Sequence, residues 1–264
     1  MVKRTTAIEW TTQTLNWVTG CTKVSDGCRF CYMYREYPRL RDMGVPSYQW
    51  QPSEVHIHES VIEKPLHWKA PRMVFVNSMG DTFHEQVPFA VIDRFVDVMQ
   101  RTPQYVYQVL TKRSKRLVEY GERIGEFPPN VWLGVTVENA QCKLRIDDLR
   151  RIKAKVHFVS FGPLIDAVGK LNLTDIEWAI VEGESGVEHR PIKEEWVKEI
   201  FDQCREQGVA FFFKGWGGVR PKDGGRLFMG CEWNEYPASM RKELRPQRQN
   251  PIPLKENTSS GVAP

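Results

Sequence analysis

The sequence predicts an α/β protein whose parallel strands curl into a partial or full (β/α) barrel. Three observations predict it. Short apolar runs rich in Val, Ile and Phe recur along the chain, as strands buried on both faces require. Amphipathic helical stretches separate most of them. Polar residues end nearly every run, and in a barrel such ends converge on one mouth, where active sites sit. An open doubly wound sheet would share the first two features.

The first strand is expected around residues 15–18, just ahead of a cysteine cluster. Residues 41–70 carry Pro46, Pro52 and Pro65 with several aromatics and read as an irregular insertion or lid. The remaining strands are expected at 73–77, 105–110, 131–137, 156–161, 178–181 and 210–213, giving seven in all. Helices are expected at 88–101, 115–124, 140–152 and 193–207. In the first of these, Phe89, Ile92, Phe95, Val96 and Met99 recur at helical spacing. Between 161 and 178, Gly162 and Pro163 favour a loop. The barrel is assigned to residues 1–218. Residues 219–264 lose the strand–helix rhythm and form a C-terminal extension, with a disordered tail expected over the last twenty or so residues from their Pro, Arg, Gln, Asn and Ser content.

The chain has 264 residues, enough for one large α/β domain. Hydrophobic residues make up 41% and charged residues 27%, an ordinary balance for a globular protein. No run approaches the eighteen or so apolar residues of a membrane span, and residues 1–6 lack the apolar run of a signal peptide. A cytoplasmic protein without a membrane partner is expected. The net charge of +4 is too small to establish a nucleic-acid partner by itself.

Of the six cysteines, Cys21, Cys28 and Cys31 lie within eleven residues at C-x6-C-x2-C spacing. Such clustering in a cytosolic chain reads as a metal or cluster site rather than a disulfide framework. Structural zinc wants four protein ligands, and no fourth cysteine or histidine is near, since the first histidines are His56 and His58. Three thiolates suit a [4Fe–4S] cluster with one iron left open. Gly20 and Gly27 each precede a cysteine and are expected to let backbone amides approach the sulfurs.

The loop resembles that of radical S-adenosylmethionine (radical SAM) enzymes, which is usually C-x3-C-x2-C with an aromatic before the third cysteine. Phe30 fills that place, and six residues replace three between the first two cysteines. Beyond the loop the chain resembles the phage Gp37/Gp68-type family of uncharacterised proteins over roughly residues 8–240. The shared phrases are VTGC (18–21), GC-x-x-CY (27–32), VFVNSM (74–79), LTKR (110–113), GVTVEN (134–139), GESG (183–186) and FK (213–214).

The resemblance implies a [4Fe–4S] cluster on Cys21, Cys28 and Cys31, S-adenosylmethionine bound at its open iron, and an electron donor of flavodoxin or ferredoxin type. The strand ends then supply candidate contacts. Asp81, in the turn begun by Ser78, would accept from the methionyl amine. Lys112 and Arg113 would meet the carboxylate, and Glu138 the ribose hydroxyls. Phe30 and the strand end at Ser160 and Phe161 would border the adenine. Glu182, Glu184 and Lys214 would face the substrate from the side opposite the cluster. Cys142 would return a hydrogen atom to a product radical. For single residues, helix capping by Asn139 or Asp81 and core packing by Phe161 or Cys142 are the plainer alternatives.

A nucleobase, nucleoside or DNA substrate is expected, by analogy with spore photoproduct lyase, a radical SAM enzyme that acts on DNA. The competing function is a non-catalytic nucleic-acid-binding protein with a structural zinc or iron–sulfur loop, drawing on the basic segments 112–116, 145–155 and 241–248.

Overall fold

In the computed structural model, residues 5–240 and Leu244 are described. Two short strands, β1 (Gln13–Thr14) and β2 (Val18–Thr19), lead through a single 3₁₀ turn at Asp26–Cys28 into α1 (Tyr32–Asp42). β3 (His56–Ile57) and α2 (Glu59–Ile62) follow. Then the alternation begins, with β4 (Met73–Val76), α3 (Phe89–Gln100), β5 (Val106–Thr111), α4 (Ser114–Ile124), β6 (Val131–Thr136), α5 (Leu144–Arg150) and β7 (Val156–Phe161). It ends with β8 (Trp178–Glu182), α6 (Glu194–Glu206) and β9 (Ala210–Gly215).

Seven strands form one sheet in the order β1, β4, β5, β6, β7, β8, β9, and every neighbouring pair is parallel. Trp10, just before β1, packs on Phe75 of β4 with ring centroids 4.5 Å apart and reaches Trp178 of β8 at 6.0 Å. A side chain at one edge can touch the sixth strand only if the sheet curls round on itself. β1 and β9 do not pair among the described residues, so the result is an open half-barrel.

Alternate residues of each strand serve two cores, which explains the nearly unbroken apolar runs. One face meets the helices: Val74, Tyr107, Leu133, Val159 and Val181 pack with Phe95, Leu117 and Phe201. The concave face is filled at the N-terminal end of the strands by Trp10, Phe75, Phe158, Trp178, Phe212 and Met240. Gln108, fully buried on that face, donates Nε2–H to the Trp10 carbonyl at 3.2 Å and ties the plug to β5. One end of the half-barrel is thus closed by aromatic rings, and the polar strand ends stand at the other.

Two expected elements differ. The strand expected at 15–18 divides: β1 lies two residues earlier, while β2 leaves the sheet and pairs antiparallel with β3. Asn16 and Asn77 explain the break. Asn77 Oδ1 accepts from the backbone of Trp17 and Val18, and Asn16 Oδ1 accepts from the backbone of Ser78 and Met79, so side chains replace the ladder there. The helix expected at 140–152 splits into a 3₁₀ turn at Ala140–Cys142, capped by Asn139, and α5. No helix separates β7 from β8, as Gly162 and Pro163 suggested.

The first part of the C-terminal extension returns to the barrel. Phe213 N–H donates to the Trp233 carbonyl, Trp178 Nε1–H donates to the Glu235 carbonyl, and Trp233 packs on Phe201. The expected tail and the basic segment 241–248 lie outside the described residues, apart from Leu244. No helix among the described residues is long and apolar enough to cross a membrane.

Candidate functional site

The three clustered cysteines follow β1 and β2 and lie across the C-terminal mouth, held there by residues from three strand ends. All six cysteines are free thiols. Gly20 has φ +81°, and a Cβ there would stand 1.9 Å from the Glu54 carbonyl oxygen, so only glycine turns the chain into the loop. Gly27 lies against Glu138, where a Cβ would come within 2.4 Å of Cγ. These glycines therefore serve close packing. The neighbouring amides of Gly20, Cys21 and Cys28 donate to the carbonyls of Met79, Pro52 and Ser25, and not to sulfur as expected.

Cys31 stands at the N-cap of α1 without a side-chain cap hydrogen bond. The first-turn amides of Met33 and Tyr34 are near enough to act on its thiol. Burial pushes the Cys31 thiol up, and those amides with the nearby Lys112 charge pull it back. At Cys21, burial and then the Asp81 charge push the thiol up to about 12, against the Arg113 guanidinium. Such thiols stay protonated at neutral pH until a metal displaces the proton.

Arg113, just beyond β5, is the principal brace of the loop. Its Nη1 lies 3.3 Å from Cys21 Sγ and 3.2 Å from Asp81 Oδ2. Nη2 donates to the Thr22 carbonyl and hydroxyl, both at 3.0 Å, and Nε donates to Glu85 at 2.9 Å. All five guanidinium protons thus have protein acceptors, which leaves none for the carboxylate role expected of it. Asp81 is equally engaged. It accepts from the Thr111 hydroxyl at 2.7 and 2.9 Å, the Phe83 amide at 2.9 Å, the Lys112 amide at 3.3 Å and Arg113.

Glu138, beyond β6, is completely buried. It accepts from the Ser25 hydroxyl of the loop and from Arg145 Nη1, each at 2.7 Å, with Lys112 Nζ at 3.5 Å. Burial works against its charge, but Lys112 and Arg145 outweigh it and hold the carboxyl below its ordinary value. Cys142 bonds the same carboxylate, and burial together with that bond pushes its thiol up to about 11.

Glu184, beyond β8, was expected across the mouth from the cysteines and lies instead beside their loop. Arg190 grips it through its backbone N–H at 2.9 Å, Nε at 2.8 Å and Nη2 at 2.5 Å, and Nη2 also donates to the Asp26 carbonyl of the loop at 3.0 Å. The curl of the sheet brings β8 round to the loop. Phe30 sits between two cations, with Arg29 at 5.1 Å and Arg190 at 5.4 Å from its ring centre.

Ser78 donates its amide and hydroxyl to Asn16 Oδ1 and accepts the Tyr32 hydroxyl on its carbonyl. Ser160 is buried near the end of β7, opposite Thr136 in register. Lys214 pairs with Glu182, both half-buried. A bulge falls there: Val181 pairs with Phe213 but Glu182 with Gly215, which makes Lys214 the extra residue and re-aims both charges.

Sequence reasoning missed Tyr32, Ser25, Arg145 and Arg190. Tyr32 follows Cys31 and touches the β4 end through Ser78, and the Glu182 charge is within its reach. Arg145 and Arg190 follow their carboxylates by seven and six residues. A strand-end acid followed by a cation less than ten residues later was the available signal.

Among the described residues, no three His, Cys, Asp or Glu side chains converge so as to hold one metal ion. A cubane makes a different demand, because its three thiolates bind three separate irons. The donor set fits that demand: three free thiols on one short loop, with Cys28 buried and Cys21 and Cys31 half-buried beside it.

Fold and site together define an open parallel (β/α) half-barrel with a three-thiol loop braced across its C-terminal mouth. The chain belongs to the DUF5131 family, described as protein of unknown function, which it matches over residues 5–237. Searches of curated proteins and of solved structures give no significant match.

Proposed function

We propose that the chain is a radical SAM-type enzyme in which Cys21, Cys28 and Cys31 hold a [4Fe–4S] cluster whose fourth iron takes S-adenosylmethionine. The observation that carries the proposal is the three-thiol loop at the C-terminal mouth of a parallel half-barrel, braced by charged residues from the β5, β6 and β8 ends. When bound, the cluster supplies the electron that splits the S–C5′ bond of S-adenosylmethionine into methionine and a 5′-deoxyadenosyl radical.

The chain's own residues have separable tasks. Arg113, Asp81 and Thr111 fix the Cys21 end of the loop, and Glu138, Ser25 and Gly27 fix its middle. Lys112 is the cation best able to meet a carboxylate, since its one ion-pair partner stands at 3.5 Å and its side chain is 22% exposed. Ser160 and Phe30 are the candidates to border the adenine. Lys214 and Glu182 offer a donor and an acceptor side by side, suited to a planar, hydrogen-bonding substrate such as a nucleobase or nucleoside. Exposed Lys23, Arg29, Arg220 and Lys222 lie on loops of the same end and suit a phosphate backbone if the base is part of DNA. Cys142, protonated at neutral pH, is the candidate hydrogen-atom donor. The electron comes from a flavodoxin or ferredoxin type of donor.

Anaerobically reconstituted protein, given S-adenosylmethionine and dithionite, should release 5′-deoxyadenosine on chromatography, and Cys31→Ala should release none. Cluster-loaded protein that neither binds nor cleaves S-adenosylmethionine would favour the non-catalytic nucleic-acid-binding alternative.

A further inference from the structure

We infer that Arg113 is a positioning residue that raises the reduction potential of the cluster by donating a hydrogen bond from its buried guanidinium to the Cys21 sulfur. The inference rests on the cluster proposed above and adds a role that the loop's cysteine spacing does not contain.

The geometry is specific. Arg113 Nη1 stands 3.3 Å from Cys21 Sγ. Its side chain is only 4% exposed, and four further acceptors hold the guanidinium plane in place. A fixed positive charge on a ligand sulfur, shielded from water, acts more strongly than the same charge in solvent. Hydrogen bonds to the sulfurs and local charge are among the terms that set the potential of an iron–sulfur cluster.

Reduction moves one electron from dithionite to the cluster and makes the cluster and its thiolates more negative. A donor and cation at Cys21 stabilises that reduced form over the oxidised one. Two acids flank the cation. Asp81 is itself buried, and its negative charge is felt at Cys21, so Arg113 also masks it. Glu85 stands on the outer side, 2.9 Å from Nε and 62% exposed. Asp81 and the sulfur share Nη1 while Glu85 holds Nε, so the cation stands between the outer acid and the sulfur, and changing the cation or the outer acid should move the potential in opposite directions.

The test is a potentiometric titration of full-length, anaerobically reconstituted protein, followed by the paramagnetic signal of the reduced cluster. Iron and sulfide are counted first. In Arg113→Met the reduced-to-oxidised ratio at a fixed ambient potential should fall about tenfold, which is 59 mV for a one-electron couple. Arg113→Lys should fall between that variant and wild type, because it keeps the charge and loses the planar fork. Glu85 lies at the surface, so Glu85→Gln tests the inference even if Arg113→Met does not fold. It should shift the potential upward by a smaller amount, since solvent screens an exposed charge.

The inference is overturned if Arg113→Met and Arg113→Lys, carrying wild-type iron, titrate at the wild-type potential. It is also overturned if Glu85→Gln leaves the potential unchanged or lowers it. Absence of iron uptake by the wild type would overturn the cluster itself, and this inference with it, before any variant is compared.

Discussion

At Gly27 an added methyl group would meet Glu138 Cγ at 2.4 Å, and Glu138 has nowhere to go, because Arg145 and Ser25 hold its two oxygens. Gly27→Ala should therefore lose about 1–3 kcal/mol, as overpacked sites do. Urea unfolding would check this, and the variant's iron uptake should fall with it. The carboxylate itself makes a pH-dependent contribution. The folded protein holds Glu138 below its ordinary value of 4.5, so the unfolded chain takes up that proton first as the solution is acidified. Its stabilisation is complete above about 4.5 and is lost as pH falls through the lower folded value. Glu138→Gln should cost about 3 kcal/mol at neutral pH, because it leaves largely buried cations without their acid. The stability difference between wild type and variant should shrink once the pH drops below 4.5. A difference that stays constant into acid would show that Glu138 is not held as an anion.

Strand and helix pattern reached the elements unevenly. β4 to β9 were legible because each is buried on both faces and must be apolar throughout, which no loop needs to be. β1 was not, because only Gln13 and Thr14 pair with β4, and two polar residues carry no apolar signal. The three cysteines were legible as a cluster from type and spacing alone, and the structure sets their loop at the mouth. Their braces were not: Arg113 read as a contact for a carboxylate, Arg145 lay in a basic segment and Arg190 stood unmarked ahead of an expected helix, and only the curl of the sheet brings them to the loop and its carboxylates. Glu184 was misplaced for the same reason, since a list of strand ends does not say how far round the mouth each lies. At this scale the aromatic plug gives a test. Trp10 is 3% exposed and bridges β4 and β8. Trp10→Ala should lose about 3–5 kcal/mol, the usual cost of truncating a buried large aromatic. Iron taken up per folded chain should stay at the wild-type level, because the plug is at the far end of the strands. Loss of iron in the folded fraction would mean that the two ends are coupled.

Over the whole molecule, the two ends of the half-barrel differ in kind. Rings of Trp10, Phe158, Trp178 and Phe212 close the N-terminal end, and charged strand ends converge under the thiol loop at the other. The loop is fixed by the β5 end at Cys21 and Thr22, by the β6 end at Ser25 and Gly27, and by the residues after β8 at Asp26. A loop that only closed a zinc site would need a fourth ligand. A loop that presents an open iron must be held rigid from outside while one side stays free. The central claim is that open iron. Protein purified without oxygen should carry about four irons and four sulfides per chain. Its dithionite-reduced form should give a paramagnetic resonance signal whose shape changes when S-adenosylmethionine is added, because the cofactor binds the iron that no cysteine holds. A reduced-cluster signal that S-adenosylmethionine leaves unaltered, or stoichiometric zinc with no iron uptake, would contradict it.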